Sequence, residues 1–299
     1  MRHSSLSKAE YKTGYMFALP WLLGFLIFTL GPLLASIYLS LTSYDVLNPP
    51  NFIGLNNFRT LFHDSLFWKS LYNTFYMVII GVPINIIVAF SIALLLNVEI
   101  KGVSIYRAIY YLPSITPAVA ASILWLWILN ADFGILNSTL AALGFRGPNW
   151  LTDPAWAKLA IIMMGAWGAG GSMLIYLAGL KGIPMGLYEA AEIDGANWWY
   201  KFWRITIPMI SPTLFFNLIM GVIGTFQIFT QAYIMTGGGP VDSTLFYVYY
   251  LFNNAFSYFK MGYACSMAWI LFLIILALTA IQLKLASYWV YYEAGQPPV

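Results

Sequence analysis

Asn217, Thr225, Gln227, Thr230 and Gln231 stand in an otherwise apolar stretch that also holds Phe226, Phe229 and Tyr233. These residue types do binding chemistry: amides and hydroxyls exchange hydrogen bonds without carrying charge, and an aromatic face stacks on the apolar side of a pyranose ring. The set suits a neutral, hydroxyl-rich ligand. On a helix, Gln227 and Gln231 lie four residues apart and share a face. Hydrogen bonds between helices, worth ~0.6 kcal/mol each, together with aromatic packing, are the competing reading of the same residues.

Covalent chemistry has little to work with. Of the 299 residues 8% are charged and 61% hydrophobic, against about 25% charged in a soluble domain. The mean hydropathy is +0.75, and the chain reads as an integral membrane protein. Its long uncharged runs hold no His, Asp or Glu, so a membrane hydrolase lacks a general base and a carboxylate site for H⁺ or Na⁺ coupling is missing. Na⁺ held by backbone carbonyls at broken helices stays open. His3, His63 and the single Cys265 form no cluster with metal-ligand spacing and no internal disulfide, so no metal is expected. There is no Gly-Lys dipeptide, hence no Walker A phosphate loop. If ATP drives this protein, another chain hydrolyses it. A net charge of +3 spread over the loops points to no nucleic-acid partner.

The elements that must position these residues follow from the charges. Residues 13–44, 70–98, 108–131, 159–180, 205–241 and 261–283 are free of charge, and each can hold a helix of ~20 residues across a ~30 Å hydrocarbon core. Six spans are predicted. The run 243–259 is too short, carries Asn253 and Asn254, and reads as an interfacial amphipathic or extramembrane helix. With the N-terminus inside, Lys and Arg divide nine to five in favour of the cytoplasm, so both termini are expected there. The 132–158 loop, FIGLNNF (52–58) and TGGGP (236–240) then face outside. Pro20, Pro32, Pro83, Pro117 and Pro212 fall within or at the ends of spans, as packing kinks or hinges. Gly168, Gly170 and Gly171 permit either close helix approach or a loosened backbone at a cavity.

Between spans four and five, Glu189, Glu192 and Asp194 put three of the 11 carboxylates within six residues. GLYEAAEID predicts a short helix halted at Gly195, and ANWWYKFWR a second one before Pro208 turns the chain into span five. One reading is an interfacial helix pair anchored by Trp198, Trp199 and Trp203; the other is a rigid protrusion for a partner.

Glu189-Ala190-Ala191, Gly195 and then Ile205-Thr206-Ile207-Pro208 resemble the EAA loop of membrane subunits in binding-protein-dependent ABC importers, with Ile207 where that family usually has Leu. The resemblance runs from about residue 14 to 285. FIGLNNFRTLF, YLPSITPAVAASILWLWILNADFGILN, and TGGGP followed by Thr244 resemble the first of the two paralogous sugar permeases, in a compact six-span form without the extra N-terminal spans and large insertion of the maltose type. It implies an all-α polytopic fold of the type I ABC importer permease. Residues 1–12 and 286–299 are then cytoplasmic tails, and 13–285 is the permease domain with its coupling loop at 182–208. It further implies coupling to an ATPase through Glu189, Ala190, Ala191, Gly195, Ile205 and Pro208, and sugar binding by Trp167, Thr225, Phe226, Gln227 and Gln231. The implied partners are a second homologous permease in a heterodimer, an ATPase dimer that takes the ATP and Mg, an extracytoplasmic solute-binding protein, a sugar, and the lipid of a bacterial or archaeal cell membrane. Another solute, such as glycerol phosphate, and a stand-alone facilitator or channel are the alternatives.

Overall fold

The computed structural model describes residues 5–98 and 100–291. Residues 1–4, 99 and 292–299, with part of the expected tails, lie outside the described residues. Helices α1 (Ser5–Phe25) and α2 (Gly31–Ser40) lead into a two-stranded ribbon, β1 (Thr42–Ser43) with β2 (Asn51–Phe52), and then α3 (Asn56–His63). Next come α4 (Ser65–Tyr76), α5 (Val82–Leu96), α6 (Val103–Ile115), α7 (Ala118–Ile128) and α8 (Ile135–Ala142). Helices α9 (Ala157–Trp167), α10 (Gly170–Lys181), α11 (Met185–Ile193), α12 (Trp198–Lys201) and α13 (Ile207–Phe226) follow. The chain ends with α14 (Tyr247–Phe252) and α15 (Met261–Trp289).

The described residues of Met1–His63, with Leu251–Ile270, form one compact unit; those of Asp64–Tyr250 and Leu271–Val299 form the other. In the first, antiparallel pairing sets Thr42 opposite Phe52. Asn57 donates to the carbonyls of Ser40 and Thr42, each at 2.8 Å, which closes the end of α2 onto α3. The second unit holds the cavities and the elbow.

Proline shapes the spans in two opposite ways. In three places a five-residue π-helical stretch runs into a helix with proline at its second position: Leu26–Leu30 before Pro32, Met77–Gly81 before Pro83, and Phe202–Thr206 before Pro208. A proline ring collides with the carbonyl four residues back, here that of Phe28, Ile79 or Arg204, each inside the widened turn. The wide turn makes room and the helix continues. Pro208 therefore does not turn the chain into span five: Trp198–Phe226 is one helix of 29 residues, and the second half of the elbow is the beginning of the span.

Pro117 does the opposite. Thr116 before it is extended, with φ −71° and ψ 129°, as a residue preceding proline prefers, and α6 and α7 meet at 99°. Helices α9 and α10 bend by 48° at Gly168 and Ala169. Spans three and four, expected as single helices, are thus broken pairs. Among the described residues four helices are continuous and apolar enough to cross a membrane, and up to six spans result if each pair counts as one.

Small residues let these pieces approach. Ala89 and Ala93 of α5 are fully buried with Met173 and Tyr176 of α10 and Ile210 of α13. In lipid such packing is held by van der Waals contact, since the surrounding tails are as apolar as the side chains. At Gly170 a Cβ would stand 2.3 Å from the Tyr110 carbonyl oxygen, so only glycine lets α10 start against α6. Of the two readings of the span-four glycines, Gly170 fits close approach and Gly168 fits the loosened backbone.

The 243–259 run is short and packed. Tyr247 is fully buried, its ring edge-on to Phe67 at 5.7 Å, and the Tyr250 hydroxyl donates to Asp64 at 2.5 Å. In the TGGGP turn, Gly237 and Gly238 have φ of +58° and +86°. Asn73 donates to the carbonyls of Asp242 (2.7 Å) and Leu245 (3.1 Å), and Thr74 accepts from the Tyr247 N–H at 2.9 Å.

Candidate functional site

A cavity of about 460 Å³ lies among α5, the α6–α7 break, the α9–α10 break and the end of α13. Thr116, Gly168 and Ile228 all line it, so three interruptions of helix converge on one space. Irregular backbone is tolerated at membrane depth where it borders a cavity, because the freed N–H and C=O groups find partners there. Among the described residues that line it, none is Asp, Glu, Lys, Arg or His.

Of the sequence-predicted residues, Trp167, Thr225 and Gln231 line this cavity, as does Asn217. The Trp167 ring is 37% exposed and meets Trp125 edge-on at 6.0 Å. Asn217 donates to the Thr213 carbonyl one turn back at 2.9 Å, which leaves its carbonyl oxygen for another partner.

Phe226 and Gln227 are placed differently. Phe226 is fully buried, with its ring edge-on to Phe75 at 5.2 Å; it has no free face for a sugar. Helix α13 ends there. Gln227, at φ −100° and ψ 12°, sends its N–H to Gly224 at 3.1 Å, and the N–H of Ile228 goes to Thr225 at 3.3 Å. This tighter turn breaks the helical register, so Gln227 and Gln231 do not share one helix face, and Gln227 is absent from the cavity lining.

Sequence reasoning missed Asn85, Ser114, Thr116 and Ser172, which line the cavity with the others. Asn85 donates across to the Gly165 carbonyl at 3.0 Å and so joins α5 to α9. A lone amide inside VPINIIV was the available signal.

The second candidate region is the elbow. Helix α11 ends in a Schellman arrangement: the Ala196 N–H reaches the Ala191 carbonyl (2.8 Å) and the Gly195 N–H that of Glu192 (3.0 Å). Gly195 takes φ +76°, where a side chain is strained. Asn197 then caps α12 by accepting from the Tyr200 N–H at 2.8 Å. Lys201 and Glu192 pair across the turn at 2.6 Å, and the Tyr188 hydroxyl meets Thr206 Oγ1 at 2.9 Å. Glu189, Ala190 and Gly195 are exposed and Ala191 half-buried, so the structure brings these four to one outward turn. Ile205 and Pro208 are set apart from them, half-buried at the root of α13, with Ile205 packed on the α5–α10 core. Ile193 is 87% exposed at the tip.

Comparison with known proteins bears on both regions. A family model described as binding-protein-dependent transport system inner membrane component matches residues 65–288. The probable ABC transporter permease protein YesP of Bacillus subtilis (strain 168) is 45% identical over 301 residues, covering 99% of this chain and 97% of that protein. The lactose transport system permease protein LacF of Rhizobium radiobacter is 36% identical over 287 residues, covering 93% and 95%. A chain in the crystal structure of a bacterial ABC transporter involved in import of the acidic polysaccharide alginate superposes with a TM-score of 0.78 at 25% identity, covering 94% of this chain and 99% of that one.

Proposed function

The chain belongs to the inner membrane components of binding-protein-dependent transport systems, and from that premise we propose that it passes a sugar or oligosaccharide through the cavity at its three helix breaks. The observation that carries the reading is the continuous helix Trp198–Phe226, which starts in the elbow and ends at the cavity. At 1.5 Å per residue it is a rod of roughly 44 Å. A partner that moves the elbow moves the cavity wall.

In this reading ATP and Mg bind a dimer of separate ATPase subunits, which grip Glu189, Ala190, Ala191 and Gly195 in the cytoplasm. Both termini lie on that side. A loaded solute-binding protein docks outside, a second homologous permease supplies the rest of the passage, and ATPase closure rocks the elbow so that the cavity alternates its opening. Tyr11–Ser40, in whose most apolar 18 residues none is buried by the described residues, leaves its sides to lipid or to that second permease. The chain supplies no covalent chemistry: Asn85, Asn217, Thr225 and Gln231 meet sugar hydroxyls through neutral hydrogen bonds, and Trp167 offers the stacking face. Lactose and alginate stand in the names of its relatives, and hydroxyls are what those sugars share.

The test is uptake by the reconstituted complex. Glu189→Lys is expected to abolish sugar-stimulated ATP hydrolysis and uptake while the membrane subunits still insert. Normal uptake and ATPase copurification in that variant would reduce the elbow to an interfacial anchor. Uptake that proceeds equally without ATP would make the chain a facilitator.

A further inference from the structure

A second cavity, of about 700 Å³, opens at the root of the elbow between α5, α10 and the start of α13. One side is aliphatic, formed by Leu94, Leu95 and Val98 at the end of α5 and by Leu180 of α10. The other side belongs to the elbow: Tyr188, Trp198, Phe202 and Lys201. Leu95 is 72% exposed and Trp198 66%. The chain thus leaves an apolar trough open to its surroundings.

The rim indicates what fills it. Trp198, Trp199, Tyr200 and Trp203 are all about half exposed or more, four rings within six residues, of the kind that settle at the headgroup level of a bilayer. Among the described residues that line the trough, Lys201 is the one that carries charge. Its side chain is only 19% exposed, whereas that of its partner Glu192 is 63% exposed. Arg204 is exposed beside it and stands over the Tyr200 ring at 5.9 Å. At the end of α5, Arg107 donates to the Leu96 carbonyl at 2.8 Å, and its buried Nε has no partner among the described residues. A trough of acyl-chain chemistry ending among cations and interfacial aromatics matches a phospholipid whose headgroup is anionic.

We propose that this trough is a binding site for an acidic phospholipid, with an acyl chain along Leu94, Leu95 and Val98 and the phosphate on Lys201. The ammonium exchanges the Glu192 carboxylate for the phosphate, and Glu192 returns to solvent, where it is already mostly exposed. A zwitterionic headgroup brings its own cation toward Lys201 and Arg204 and is disfavoured. One wall of the trough is α5 and the other is the elbow, so a bound chain wedges the elbow against the spans. Lipid charge then tunes how firmly elbow motion reaches the cavity.

The experiment uses the chain in its assembled complex, in nanodiscs of phosphatidylcholine alone or mixed with phosphatidylglycerol, with native mass spectrometry reading the lipids that stay bound. Phosphatidylglycerol is expected to be retained over phosphatidylcholine. Ser91→Phe puts a ring into the trough without altering any charge, and it should lower that retention several-fold. Lys201→Gln should do the same, and Glu192→Gln, which frees the ammonium, should raise it. Equal retention of the two lipids, or retention unchanged by Ser91→Phe, overturns the proposal. So does loss of another subunit from the Ser91→Phe complex, because the trough is then a protein seat. Lipid retention is read without sugar or ATP, so its outcome is separate from that of the uptake test.

Discussion

Two glycine turns end helical segments in this chain, one tied by side chains from elsewhere in the fold and the other held from within. In the turn from Thr236 to Leu245, Thr236 and Thr244 join hydroxyl to hydroxyl at 2.6 Å, Thr244 donates to the Gly239 carbonyl at 2.7 Å, and Asn73 holds the carbonyls of Asp242 and Leu245 from another helix. Val241 and Asp242 both have positive φ, 49° and 55°, a conformation that costs ~1–2 kcal/mol for such residues. The staples offset that strain. At Gly195 nothing stands within 4 Å of where a Cβ would point, and the turn is held from within the elbow, by its own backbone hydrogen bonds, the Asn197 cap, the Lys201–Glu192 pair and the Tyr188–Thr206 contact. A turn tied into its own chain is fixed by that chain. One that leaves Glu189 and Ile193 facing outward keeps its shape locally and its surface for something else.

The largest effect should come from cutting the staple. Asn73→Leu preserves much of the volume and removes both N–H donors in a place where Asn73 itself is fully buried, taking this partner from the Leu245 carbonyl and leaving the Asp242 carbonyl the Leu245 N–H at 3.3 Å. Each such loss costs about 1–3 kcal/mol, so a destabilisation of about 2–4 kcal/mol is expected. Thermal unfolding of the solubilised protein checks it. An unchanged transition would mean that the turn does not depend on Asn73, and the contrast with Gly195 would disappear.

At the elbow, Gly195→Val forces a branched side chain into φ +76°, for about 1–2 kcal/mol, with no atom to collide with. Its unfolding temperature should therefore fall less than that of Asn73→Leu. Its uptake should fall more, because the outward turn loses its shape. Gly195→Asn, which tolerates left-handed backbone better, should recover part of the uptake. A Gly195→Val protein that melts early and still transports would reverse the assignment of the two turns.

This contrast also explains what could be read from the sequence. The elbow was legible because its determinants act within a few residues: helix formers and a glycine at the C-terminal end. The spans were legible as uncharged runs, but charge says nothing about backbone direction, so Pro117 was read only as a kink or hinge, Gly168 only as close approach or a loosened backbone, and the break at Gln227 stayed hidden in continuous apolar text. Proline did not resolve the matter. Pro117 breaks its span and Pro208 does not: a wide turn sits four residues before Pro208, whereas Thr116 before Pro117 is extended. Phe226 was misplaced because an aromatic in a span is equally a packing residue, and its neighbour Phe75 is about 150 positions away in the chain. Asn85 went unnoticed because one amide in an apolar helix gives no pattern.

A smaller effect separates the two glutamines on the chain leading into the stapled turn. Gln231 lines the cavity and Gln227 does not. Losing one hydrogen bond to a substrate costs about 1 kcal/mol, so Gln231→Leu should lower sugar uptake several-fold and Gln227→Leu should leave it near wild type. Both are measured in the reconstituted complex alongside its basal ATP hydrolysis. Equal losses would place the sugar on the exposed side of the α13 end instead of inside the cavity.

The smallest effect concerns the elbow's own internal contact. Tyr188 of α11 meets Thr206 at the root of α13 through their hydroxyls at 2.9 Å, and this side-chain contact joins the first elbow helix to the long one. Tyr188→Phe removes one hydroxyl and keeps the ring. Thr206 still approaches the Lys201 carbonyl at 3.4 Å, so it is not left wholly without a partner. The expected loss is about 0.5–1.5 kcal/mol, the net worth of an ordinary hydrogen bond, and the global unfolding temperature should barely move, since the ring keeps its packing. If the elbow is a lever, the loosened joint should still lower sugar-stimulated ATP hydrolysis relative to the basal rate, by less than Gly195→Val does. A ratio unchanged from wild type would mean that α11 is carried by the backbone turn and the Glu192–Lys201 pair without the hydroxyl contact. A ratio as low as that of Gly195→Val would mean that the hydroxyl pair, and not the glycine turn, sets the stiffness of the elbow.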